Sequence, residues 1–143
     1  MVSIEQQNKE FARWYIDEVF NKHDLSKLLT CFAEDVYGHS LPPEVPNGIQ
    51  GVTIWFTALF TGLPDIHANV YDIIAEGDTV LSRGLLTATH TGQFLVLPPT
   101  YKKVAVPVIE VWRVKDRKLV DYWGGIDSFG MMQQMGVVPP MGG

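Results

Sequence analysis

Apolar positions change period once along this chain, and the change divides it into a helical first half and a strand-rich second half. From Ser3, a natural N-cap followed by acidic Glu5, the residues Phe11, Trp14, Tyr15, Val19 and Phe20 recur at helical spacing as far as about Asn21. Asp24 opens a second, shorter helix through Leu25, Leu28, Leu29 and Phe32, and a polar, proline-rich connection follows around Gly38 to Pro43. A third helix, from about Gly48 to Leu63, carries Ile49, Val52, Trp55, Phe56, Leu59 and Phe60 and stops at Gly62 and Pro64.

Beyond Pro64 the pattern becomes strand-like. Ile66 to Ala75 and Thr79 to Thr91 flank the turn Glu76-Gly77-Asp78, and a loop runs from Gly92 to Lys103. Two further β-rich segments, Val104 to Val114 and Lys118 to Gly124-Gly125, are joined by Lys115-Asp116-Arg117, and a short helix begins at Ser128. Three helices, four long strands and a final helix predict a single α+β domain over residues 1–143, its antiparallel sheet curled over the helices. Residues 137–143 read as a loose tail or a partner-contact arm.

Composition narrows the partners. A chain of 143 residues, 46% hydrophobic and 19% charged, can build a sizeable core or a core with a cavity. A net charge of −5 without basic blocks argues against nucleic acid and anionic membrane as partners. The N-terminus has no signal-peptide pattern and no apolar run reaches a membrane span, so the expected location is the cytoplasm. The lone Cys31 cannot pair within the chain and is expected to be buried rather than reactive, and no Cys/His cluster suggests a metal. Neither a phosphate-cradling glycine loop nor a nucleophile elbow is present.

Glu110 is the first candidate for chemistry. It stands in Val-Ile-Glu-Val-Trp and shares a strand face with Val106, Val108 and Trp112, where desolvation would raise its pKa toward the useful range for acid/base work. On the opposite face it would simply pair with a surface lysine or arginine. His39 and His90 can pass protons or hydrogen-bond an oxyanion, although a single loop histidine is more often structural. Asp127 either caps the final helix or turns inward as a second carboxylate. Trp14, Tyr15, Trp55, Phe56 and Phe60 form core or pocket lining, and Arg83 is a partner for an internal carboxylate. Met131, Met132 and Met135 suggest packing or a dimer contact.

The chain resembles the SnoaL-like polyketide cyclase family at His90-Thr91-Gly92-Gln93-Phe94 with Leu97-Pro98-Pro99-Thr100, and at Trp123-Gly124-Gly125-Ile126-Asp127 with the Met131 to Gly136 run. Phe20-Asn21 with Asp24, Asp35, His39, Leu63-Pro64-Asp65 and Glu76-Gly77-Asp78 extend the resemblance over nearly the whole chain. It implies the cone-shaped, cystatin-like barrel of nuclear transport factor 2 and ketosteroid isomerase, with three N-terminal helices on a strongly curved, mainly antiparallel sheet and a short C-terminal helix. It also implies a homodimer and a cofactor-independent aldol ring closure on an aromatic polyketide ester, with an acid/base carboxylate on the last long strand. Aligned on the family pattern, that carboxylate position is Gly124, which cannot move a proton. The same comparison turns Tyr122 and Gly124 inward, and Asp121 and Trp123 outward.

The leading expectation is therefore a cofactor-free and metal-free enzyme acting on a small, apolar, polyketide-like substrate. Glu110 would move the proton, with Asp127, His39, His90 and Tyr122 as further candidates for catalysis. Trp14, Tyr15, Trp55, Phe56, Phe60, Val106, Val108, Trp112 and Gly124 would bind the substrate. A binding protein with the same pocket and no chemistry is the alternative, and an oligomerisation domain using Trp112 and Trp123 on an open sheet face is a third.

Overall fold

A computed structural model describes residues 1–139 and 141; the expected tail therefore falls partly outside the described residues. The elements in order are α1 (Ile4–Trp14), a π-helical continuation (Tyr15–Phe20), α2 (Leu25–Thr30), β1 (Phe32–Gly38), α3 (Ile49–Gly62), β2 (His67–Glu76), β3 (Thr79–Thr89), β4 (Lys103–Lys115), β5 (Lys118–Ile126) and α4 (Ser128–Met135). The five strands form one open sheet in the order β1-β5-β4-β3-β2. All neighbours are antiparallel except β1, which lies parallel to β5.

Local chemistry accounts for most boundaries. Ser3 Oγ accepts from the Gln6 N–H, Asp24 from Lys27 and Asp127 from Gly130, so α1, α2 and α4 each begin on a side-chain cap. The β4–β5 turn places Asp116 and Arg117 at φ of 50° and 57°, the twist that suits a two-residue hairpin. Two features depart from the sequence reading. Phe32–Gly38 is a strand rather than the end of a helix and a loop, because Phe32 and Val36 bury their side chains while the backbone pairs with β5. The first helix widens after Trp14: the Asn21 N–H bonds the Ile16 carbonyl, a five-residue step that aims Tyr15, Ile16 and Phe20 at the sheet.

Along β4, Val104, Val106, Val108, Trp112 and Val114 point inward and are buried, and Glu110 takes its place in the same alternation. Strand β5 is out of step until a bulge corrects it. Leu119 pairs with Val114 and Asp121 with Arg113, which leaves Val120 as the extra residue. Leu119 and Tyr122 are thereby both buried, while Asp121 faces outward to Arg113 at 3.1 Å. Register then sets Tyr122 against Trp112, Gly124 against Glu110 and Ile126 against Val108. Trp112 therefore belongs to the interior, and only Trp123 of the two tryptophans lies on the outer face, beneath His39.

Deleting Val120 removes the extra residue and leaves Leu119 opposite Val114 and Asp121 opposite Arg113, so the inward and outward faces beyond it should be kept. Inserting one alanine between Asp121 and Tyr122 should instead turn Tyr122 outward, and loss of that core aromatic should destabilise the fold by about 3 kcal/mol or more. Denaturant unfolding measures both, and equal midpoints for the two variants would show that the bulge does not set the register.

Candidate functional site

The inward faces of β3, β4 and β5 meet the π-helical segment and α3 around a small cavity of about 50 Å³. Tyr15, Phe20, Phe56, Ser82, Val108, Glu110, Trp112, Tyr122 and Ile126 are among the residues that line it. Its surface is predominantly apolar. The polar groups come from alternation: Ser82 stands opposite Glu110 on β3, and Gly124 stands opposite it on β5.

Glu110 Oε2 is sealed from solvent and has no hydrogen-bond partner. Desolvation raises the carboxyl's pKa from 4.5 to about 8, and the neighbouring Tyr122 phenol opposes the shift only in part. Near neutral pH the group is therefore mostly a neutral acid. The phenols of Tyr15 and Tyr122 are held protonated well above their usual range, first by burial and then by the charge Glu110 would carry. Three titratable groups thus share one apolar space, and all favour the protonated state. Trp112 adds an unused donor, since its indole N–H is buried without an acceptor.

Gly124 makes this arrangement possible. A Cβ there would lie 2.8 Å from the Tyr122 hydroxyl oxygen and 3.4 Å from Glu110 Oε2, so the phenol occupies room that any side chain would contest. On the outer side, Ser40 Oγ accepts from the Gly124 N–H at 3.0 Å. Gly124, Trp55, Ser40 to Pro43 and Ser128 line a more open groove of about 310 Å³. Tyr122 and Ile126 border both spaces.

The other candidate residues lie elsewhere. His39 is on the outer face of the sheet, stacked on Trp123 with centroids 4.1 Å apart and bonded to Asp121 at 2.9 Å. That geometry holds it away from the cavity. His90 is fully buried under the loop that follows β3, where its Nδ1 faces the Thr100 hydroxyl at 2.9 Å and backbone N–H at 3.3 Å; its Nε2 has no partner. Asp127 uses Oδ1 to cap α4 through the Gly130 N–H at 2.9 Å and is exposed. Arg83 pairs with exposed Asp72 on the neighbouring strand, at 2.8 Å from its Nε, rather than with an internal acid.

Among the expected binding residues, Tyr15, Phe56, Val108 and Trp112 border the inner cavity, and Trp55 and Gly124 border the groove. Trp14 packs on the far side of α1, where Lys27 and Arg117 approach its ring at 5.3 and 5.9 Å. Phe60 stands behind Phe20 and Phe56, and Val106 is core. Ser82, Phe20 and Ile126 were not singled out by sequence reasoning. Alternation along β3 could have revealed Ser82, whereas nothing in the composition announces the π-helical turn that aims Phe20 inward. Among the described residues, no cluster of three or more acidic, histidine or cysteine side chains could hold a metal ion, and no helix is long and apolar enough to cross a membrane.

Comparison with known proteins gives a consistent picture. The family model for SnoaL-like polyketide cyclase matches residues 9–135. Among solved structures, a candidate SnoaL-like polyketide cyclase from Jannaschia sp. CCS1 superposes with a TM-score of 0.83 at 25% identity, covering 97% of this chain and 98% of that one. AclR, a candidate hydroxylase from Streptomyces galilaeus, gives 0.81 at 27% identity, covering 94% and 84%. IdmH, a candidate polyketide cyclase from Streptomyces antibioticus, gives 0.75 at 28% identity, covering 91% and 99%. No curated protein matches the sequence.

The raised carboxyl makes a prediction about stability with a definite sign. The unfolded chain releases the Glu110 proton near its ordinary 4.5, while the native state holds it to about 8, so the native state binds more protons between those values. Its contribution to stability should therefore fall as pH rises through that window, by a few kcal/mol in all, and be level outside it. Denaturant unfolding of wild type and Glu110→Gln across this range isolates the term as their difference; parallel curves would contradict it.

Proposed function

The chain belongs to the SnoaL-like polyketide cyclase family, and we propose that it is a cofactor-independent acid/base catalyst acting on an apolar, polyketide-like ketone or ester. One observation carries this reading: a neutral carboxyl with an unbonded oxygen is held in an apolar cavity beside a phenol, and its pKa lies within reach of neutral pH.

The reaction that suits these groups is an intramolecular aldol closure. Glu110 donates its proton to the acceptor carbonyl oxygen as the enol carbon of the other arm forms the new C–C bond. The resulting carboxylate then takes the proton of that enol's hydroxyl, which becomes a ketone. Every atom of the substrate is retained, and Glu110 returns to its neutral form. Tyr122 steadies the developing oxygen charge by hydrogen bonding, in a space where scarce water leaves such a donor strong. Gly124 plays no part in proton transfer, and the family's usual acid is here replaced by one a strand away, directly across the ladder.

A second reading, a binding protein without turnover, is favoured by that same glycine and by the size of the inner cavity. About 50 Å³ admits a few waters, well short of the roughly 300 Å³ or more that a drug-sized ligand occupies.

Glu110→Gln keeps the shape and removes the exchangeable proton. Ring closure or isomerisation of an accepted substrate should drop about 100-fold or more, and the wild-type rate should decline as pH rises through about 8, because the protonated acid is the active form. Retention of activity within a few-fold, or a rate that climbs through the same pH, would refute the assignment. Native mass spectrometry of the purified protein tells the two readings apart, since a retained and unaltered small molecule marks a carrier.

A further inference from the structure

The inner cavity and the outer groove are neighbours with very different capacities, about 50 and about 310 Å³, and they share the side chains of Tyr122 and Ile126. The groove wall includes Gly124, and the space a side chain would fill at that position reaches to 2.8 Å from the Tyr122 hydroxyl and 3.4 Å from Glu110 Oε2. The groove therefore approaches the buried carboxyl most directly at Gly124, the glycine of β5 that stands opposite Glu110. Its walls are also of a different character from the cavity. Trp55, Leu41, Pro42 and Pro43 offer flat, rigid apolar surface, while Ser40 and Ser128 add hydroxyls at the edge.

We propose that one ligand spans both spaces: a planar, apolar ring body seated in the outer groove, with a single carbonyl-bearing edge admitted to Glu110 past Gly124, where the Tyr122 phenol now fills the space. Gly124 is then a specificity-determining position. Tyr122 forms the movable side of this entrance and gives way to the entering oxygen, which then meets the unbonded Oε2 of Glu110. The bulk of the substrate never enters the cone, which reconciles a cavity of a few waters with a polyketide-like substrate. This deepens the acid/base reading of Glu110 and rests on it for the identity of the reacting group, but binding without turnover is sufficient to test it.

The probe is 6-acetyl-2-(dimethylamino)naphthalene, a fluorescent planar ketone, compared with 2-(dimethylamino)naphthalene, which lacks the carbonyl. Wild type should bind the ketone more tightly than the parent and shift its emission as the carbonyl leaves water. Ser128→Trp, at an exposed position on the groove wall, should weaken both probes at least tenfold. Gly124→Ala should erase the preference for the ketone while leaving the parent within about twofold of wild type. Pro43→Trp repeats the groove test from the opposite wall if Ser128→Trp does not fold. Failure of wild type to bind either probe, unchanged binding by the groove variants, or a ketone preference that survives Gly124→Ala would each overturn the proposal. A loss of activity in Glu110→Gln bears on the chemistry alone, so the two ideas can fail separately.

Discussion

Keeping a carboxyl group inside an apolar sheet is the constraint on which the rest of this structure depends. Glu110 occupies a position in β4 that alternation reserves for core residues, flanked by Val108 and Trp112. An ionised carboxylate there would be very costly, so the group retains its proton instead, and its pKa rises to about 8. That single response converts an awkward core residue into a proton donor poised near neutral pH. The neighbouring positions conform to it: Ser82 opposite on β3 is small, Gly124 opposite on β5 has no side chain, and Tyr122 leans into the space thus left. The bulge at Val120 permits this by turning Tyr122 and Gly124 toward the interior and Asp121 toward Arg113.

Much of this was legible in the sequence. The caps at Ser3, Asp24 and Asp127, the hairpin turn after Lys115 and the inward stripe on β4 all follow from local rules that act within a few residues. Strand β1 was not, since Phe32 and Val36 fit the end of a helix as well as a strand, and its pairing with β5 is contact between residues more than eighty positions apart. The placement of His39 was hidden for a similar reason. A histidine after a strand is free to face either way, and the choice is made by Trp123 and Asp121 on the outer face of β5. Within the site, Glu110 could be picked out by its neighbours, whereas the roles of Ser82 and Phe20 depend on cross-strand register and on a π-helical turn.

The fold itself leaves the chemistry open, because the same architecture at similar identity is found in a candidate hydroxylase and in candidate cyclases. In the proposed reading the acid stands on β4 at Glu110 instead of on β5, and Gly124 opposite it narrows the question to access. A carboxyl and two phenols, all protonated, favour a reaction that begins with proton donation to oxygen rather than with abstraction by a standing base.

The central claim is that Glu110 is a neutral acid at neutral pH. Carbon-13 NMR of the glutamate side-chain carboxyls, with Glu110 assigned by its loss in Glu110→Gln, follows its ionisation directly. The account predicts a single titration with a midpoint near 8, distinct from the other glutamates. A Glu110 carboxyl that ionises in the ordinary range near 4.5 would contradict it and leave the cavity without an acid.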